Sequence, residues 1–331
     1  MAPEPRRNPD LVGHAEAERT LIHAARSGRL AHAWLIAGPL GIGKATLAHR
    51  FARWLLEGAP TGPDDSLWTD PAGRTFHLAA AGTHPDLLTI EKGVSEGGKA
   101  RTEIVIADVR AASGFVRMTP AIAPWRVVIC DAADDLNVNA ANALLKILEE
   151  PPPNAILLLV AHAPARLLPA LRSRCRRLDL RPLGVANLQR VIGPWIADDA
   201  QARVLTDLAE GSPGRALALI EAGGPELYQD VAAVMAGLPA LDMAAVHDLA
   251  ERWTRRGADE TFRTGMDLLR AWIERYVAGR AGAGARQPGL DAWVEVWDNV
   301  GRLTLQADGL RLDRKQVVIA AFSALAYAAR G

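Results

Sequence analysis

Residues 33–56 read AWLIAGPLGIGKATLAHRFARWLL, and the change of pattern at Gly38 decides the fold. Before it lies an apolar run of strand length; after it the apolar residues return at three- and four-residue spacing, which predicts a helix. In that strand–loop–helix context Gly38, Gly43 and Lys44, with Gly41 between them, match a phosphate-binding loop. Such glycines let backbone N–H groups wrap an anion while the lysine reaches its outer oxygens. The hydroxyl that would hand an oxygen to Mg²⁺ is missing: Ala45 occupies its place. Thr46, one position further along a helix, is turned about 100° away. The loop is therefore expected to take the phosphates of ATP or ADP without hydrolysing them. The alternative is a glycine-rich turn that only joins strand to helix.

A second apolar run, from Trp125, ends on Asp131. An acid at the carboxyl end of a buried strand is where a nucleotide-binding sheet orients its metal ion, although it can equally cap a helix or turn after the strand. Ala132 comes next, where an acid would polarise an attacking water. A general base contributes about 10²–10⁴ in rate, so its loss together with the missing magnesium hydroxyl predicts little turnover.

Around these runs the pattern predicts a helix within Asn8 to Leu30 behind a mobile Pro/Arg-rich start, and a Gly/Pro/Asp-rich excursion from Gly58 to Gly82 that closes in a short helix. HPDLLTIE (His84 to Glu91) reads as a strand and Ile104 to Met118 as a helix; His77 and His84 read as surface or structural residues. A helix from Ala140 to Glu149 is stopped by Pro151, Pro152 and Pro153, and a buried strand follows at Ile156 to Val160. From Arg181 the spacing is helical; the turn Gly211 to Gly214 opens a helix carrying Arg215, which has no charged partner close in sequence. After Gly223, Gly224 and Pro225 every segment shows three-to-four-residue periodicity, interrupted by a flexible connection at 278–289. Trp253, Trp272, Trp293 and Trp297 fall on the apolar faces of this bundle, a spacing that predicts core packing.

At 331 residues the chain exceeds one typical core. Its 38 basic and 38 acidic residues cancel, so no whole-molecule field draws it to nucleic acid, and any DNA contact has to be local or shared with partners. Cys130 and Cys175 are the only cysteines, too few for a disulfide framework or a four-cysteine zinc site, which fits a reducing cytoplasm. The opening MAPEPRRNPD lacks the apolar core of a signal peptide, and no run reaches the ~20 apolar residues of a membrane helix.

Taken in order, the phosphate loop, HPD at 84–86, NALLKILEEPP at 142–152, LLLV at 157–160, SRC at 173–175 and GSPGRALAL at 211–219 resemble the clamp-loader branch of the AAA+ ATPases in its bacterial form. The likeness carries motifs over residues 8 to 222, and beyond them only helical character. It implies an α/β P-loop domain with a parallel sheet over 1–180, a small helical lid over 181–223 and an all-α collar over 224–331 that assembles subunits into a ring. It implies that Arg174 of SRC reaches in trans into a neighbour's nucleotide site, and that Arg215 is the lid arginine that senses nucleotide. It also implies, as partners, the clamp-loader ATPase subunits, with the sliding clamp and primed DNA met through the complex, and an enzyme class that is the polymerase holoenzyme's alone.

Three departures from the family pattern argue against hydrolysis: Ala45, Ala132, and VAHAP at 160–164, where a sensing polar residue is expected and His162 stands nearby. The four-cysteine module that many relatives carry after the phosphate-loop helix has no counterpart, so no structural zinc is expected. Two other readings stay open at this level: a self-sufficient AAA+ ATPase and a small-molecule P-loop kinase.

Overall fold

The computed structural model describes residues 3–60, 65–94, 98, 101–196, 199–281, 290–310 and 312–330. Five strands, β1 (Ala33–Ala37), β2 (Leu87–Ile90), β3 (Arg126–Asp131), β4 (Ala155–Ala161) and β5 (Arg176–Asp179), form one sheet in the order β2-β3-β4-β1-β5. Every pairing is parallel. Parallel neighbours need crossovers, and these are helical: α1 (Ala15–Arg26) precedes the sheet, α2 (Lys44–Leu56), α3 (Arg74–Ala80), α4 (Ile106–Arg117) and α5 (Val138–Glu149) link the first four strands, and α6 (Pro169–Arg174) leads into β5.

Side chains alternate across the sheet, and each face has its own core. Trp34, Ile36, Val127, Ile129, Ile156, Leu158 and Val160 point to the face covered by α1 and α2. Ala33, Leu35, Val128, Cys130, Leu157 and Leu159 point to the other, where α4, α5 and α6 supply Val109, Ala112, Leu144, Ile147 and Leu171. Burial on both faces explains why AILLLVA reads as an unbroken apolar run.

The remaining helices are α7 (Val185–Ile192), α8 (Asp199–Ala209), α9 (Pro213–Glu221), α10 (Gly224–Met235), α11 (Met243–Trp253), α12 (Asp259–Ala281), α13 (Leu290–Leu310) and α14 (Arg314–Ala328). Contacts divide the chain into two units, one running to Val191 and including Glu210–Arg215, the other comprising Ile192–Ala209 and the chain from Ala216 on. The second unit has its own core, in which Trp253, Phe262, Trp293 and Phe322 are buried, with Trp272 and Trp297 packed at its margin. Most of the connection expected at 278–289 lies outside the described residues.

The amino-terminal start corrects the expectation of a mobile segment. Pro5–Arg7 form a short 3-10 helix, and two buried arginines of α2 hold the backbone from Arg6 to Pro9. Arg53 donates to the carbonyls of Arg6 (2.9 Å) and Asn8 (2.8 Å) and lies 4.6 Å over the Phe76 ring. Arg50 donates to the Pro9 carbonyl and binds Glu18 at 2.8 Å inside the fold. The first long helix, Ala15–Arg26, falls within the expected stretch.

Candidate functional site

The loop from Gly38 to Gly43 leaves the carboxyl end of β1, the strand that lies between β4 and β5, and so stands beyond the strand ends on the side where parallel sheets place ligands. The amino end of α2 comes directly after it, with Lys44 as its first residue. Lys44 is only 3% exposed, and its ammonium donates to the Pro39 carbonyl of its own loop at 2.5 Å. Burial lowers its pKa to about 8, against the opposing pull of Asp131 and Asp134.

Asp131, at the end of β3, and His162, just past β4, stand in the same electrostatic neighbourhood. Burial raises the Asp131 pKa, while His162 and Lys44 oppose the rise. His162 is half-buried, its Nδ1 finds no hydrogen-bond partner among the described residues, and burial followed by Lys44 lowers its pKa. Asp134 accepts the backbone N–H groups of His162 (3.0 Å) and Ala163 (3.1 Å), a tie between the two strand ends that the sequence pattern does not single out. Thr46 is buried, while Ala45 is half-buried and carries no oxygen.

Two further segments close on the loop. His14 Nε2 lies 2.7 Å from the Ile42 carbonyl, and a side chain at Gly43 would meet Leu11 and His14. From the other direction Ser212 Oγ donates to the Leu40 carbonyl (2.9 Å) and the Gly214 N–H to the Gly41 carbonyl (2.8 Å). A Cβ on Gly41 would lie 2.5 Å from the Ser212 side-chain Oγ, while one on Gly214 would meet the Gly41 backbone, 2.8 Å from its Cα. The approach brings the Arg215 backbone N–H beside Gly41. The supposed lack of a partner for the Arg215 side chain is corrected, because it pairs with Glu210 at 3.1 Å, five residues back across the turn. His14, Ser212 and Asp134 escape a reading of the sequence because their partners lie far away along the chain.

A nucleotide fits this site in part. Glycine amides and Lys44 suit phosphate oxygens, but magnesium would meet no hydroxyl at Ala45, and the carboxylate it would meet at Asp131 has its pKa raised by burial. Arg174 belongs to another part of the sheet domain. It ends α6, is exposed, and donates to Glu149 Oε1 (2.9 Å) and to the Ala170 carbonyl (3.1 Å).

Comparison with known proteins adds ancestry to this geometry. The model of a family described as DNA polymerase III, delta subunit, matches residues 13–184. The delta' subunit of DNA polymerase III from Pseudomonas aeruginosa is 37% identical over 229 residues, covering 67% of this chain and 66% of that one. The delta' subunit from Escherichia coli is 37% identical over 207 residues, 61% of this chain and 58% of that one. The tau subunit from Bacillus subtilis is 27% identical over 224 residues, 66% of this chain and 38% of that one. The chain thus spans just under two thirds of the first of these relatives and less of the others. Among solved structures, a DNA polymerase III gamma subunit-related protein from Thermotoga maritima superimposes with a TM-score of 0.49 at 18% identity, over 94% of this chain and 98% of that one.

Proposed function

We infer the function of this chain from the family to which it belongs, that of the DNA polymerase III, delta subunit. In this reading it is a non-motor clamp-loader subunit of the delta' kind. It joins the gamma/tau ATPase subunits and the delta subunit in a hetero-oligomeric ring in the cytoplasm and helps place the sliding clamp on primed DNA. The observation that carries it is the family match over residues 13–184, which takes in both the phosphate loop and the SRC arginine. The chain's own nucleotide site supports the non-motor part: a loop that retains Gly38, Gly41, Gly43 and Lys44 but offers Ala45 and Ala132 where magnesium and water are handled.

We assign residues 1–180 to the nucleotide-binding-like domain, 181–223 to the lid and 224–331 to the collar. ATP or ADP, if held, rests on the loop amides and Lys44, with Asp131 and Arg215 at its edges; bound there, it supplies a conformational brace and no chemistry. Arg174 is the group that acts. A trans arginine stabilises charge on a transferring phosphoryl group and is worth about 10³–10⁵ in rate, and lysine cannot replace its planar fork.

The test is reconstitution with the ATPase subunits, clamp and primed DNA. Alone, the chain is expected to hydrolyse no ATP above background. Within the complex, Arg174→Ala is expected to assemble normally, since an exposed substitution changes stability by about 0.5 kcal/mol at most. It should then lose turnover at one site and load clamps poorly. Turnover at the native rate at every site in the Arg174→Ala complex would sink the stimulatory role, and hydrolysis by the chain alone would favour a self-sufficient ATPase.

A further inference from the structure

We propose that Glu149 is the positioning residue for Arg174, setting the direction in which its guanidinium faces a neighbouring subunit; this rests on the trans role inferred above. Glu149 is the final residue of α5, and its carboxylate meets Arg174 Nη2 at 2.9 Å. A carboxylate at the carboxyl end of a helix opposes the helix dipole, so the energetics of α5 itself do not call for one there. The guanidinium beside it does.

The two anchors leave Arg174 usable. Its Nη1 donates to the Ala170 carbonyl one turn back on α6, and Nη2 reaches Glu149. Arginine carries five N–H donors in a rigid fork, so the donors left over can meet phosphoryl oxygens while both anchors stay in place. A long exposed side chain would otherwise sample many rotamers, and holding it from two directions removes that freedom before the neighbour arrives.

The position of Glu149 is itself well determined. Asn137 caps the start of α5 by accepting the Ala140 N–H (3.0 Å), and Pro151 and Pro152 stand just past its end. Along its length α5 buries Ala140, Leu144, Ile147 and Leu148 in the core of the sheet domain. The carboxylate is therefore presented from a fixed rod, whereas Arg174 ends a helix of only six residues.

The experiment uses the reconstituted complex with clamp and primed DNA, carrying Glu149→Ala, Glu149→Gln, Arg174→Ala or Glu149→Ala with Arg174→Ala. Glu149→Ala is expected to lower the Arg174-dependent kcat by up to about 10²-fold, the scale of a misplaced catalytic group, with KM for ATP unchanged. Glu149→Gln keeps an oxygen acceptor and should recover most of the rate. The double variant should be no slower than Arg174→Ala alone, and the melting temperature of the isolated chain should not move. If Glu149→Ala turns over normally while Arg174→Ala is slow, the positioning role is wrong and the trans arginine survives. A further loss in the double variant would also overturn it, because Glu149 would then act through something else. If Arg174→Ala itself has no effect, both fail together.

Discussion

Lys44 shows how far one residue can be tuned by its surroundings. Its ammonium is buried against its own loop, and with a pKa of about 8 it gives up its proton far more readily than an exposed lysine. Affinity of the loop for a phosphate-bearing ligand is therefore expected to fall as pH rises through about 8, where the cation is lost. Titration with ADP followed by calorimetry on either side of that pKa checks this, and equal affinities would mean that the glycine amides alone hold the anion. Arg50 makes the opposite kind of test. It is 4% exposed and shares an internal ion pair with Glu18. Arg50→Ala leaves that carboxylate without its partner, so a loss of about 3–5 kcal/mol is expected in urea unfolding. The positions of the loop glycines and Lys44 at the strand–helix junction, and of Arg174 at the end of a helix, follow from short motifs with fixed offsets. Glu149, Asp134 and Ser212 are not legible in the sequence, since each matters through a partner brought close only by the folded chain.

Among the elements, strands and helices with a strong period stand nearly where the sequence places them. The run from Trp125 is β3, the run at Ile156 to Val160 is β4 with one residue added at either end, and the helix ending at Glu149 begins two residues earlier than expected, at Val138 behind the Asn137 cap. The second strand, Leu87–Ile90, is shorter than HPDLLTIE suggests, and Asp86 stands just ahead of it. Its carboxylate accepts the N–H groups of Ala121 (2.6 Å), Ile122 (2.8 Å) and Ala123 (3.0 Å), fixing the turn before β3 from the adjoining strand. His84 is likewise structural, buried with its Nδ1 accepting the Asp86 N–H at 3.1 Å. Burial alone would raise the Asp86 pKa, but those three bonds and Arg126 outweigh it and hold it below the ordinary value. Asp86→Ala removes the acceptor from three backbone donors at once and is expected to cost several times the roughly 1 kcal/mol of a single hydrogen bond. Hydrogen exchange should show residues 121–123 losing protection; unchanged exchange there would mean the turn is held by other contacts.

Across the whole molecule, the first losses on acidification come from histidines, before carboxylates such as Asp86 titrate. His14, His49, His84 and His162 all have lowered pKa values, burial being the largest cause in each, and His49 reaches about 3 beside Arg53 and Arg6. The sign comes from linkage: the unfolded chain takes up these protons first, at its ordinary value of about 6.5. The contribution of these histidines to stability should therefore be complete above that pH and decline below it, with His49 contributing down to about 3. Urea midpoints measured from neutral pH into the acid range should trace that fall, and His49→Leu should flatten it; an equally steep profile in the variant would put the proton uptake elsewhere. The contact between Gly41 and Gly214 joins distant parts of the chain, and it has a meaning for mutational tolerance. Covarying pairs ordinarily exchange bulk, one residue shrinking as its neighbour grows. Here neither side has an atom to surrender. A saturation library across both positions should find each intolerant alone and no double replacement within the pair that restores the other, so two sites far apart in sequence behave as one locus.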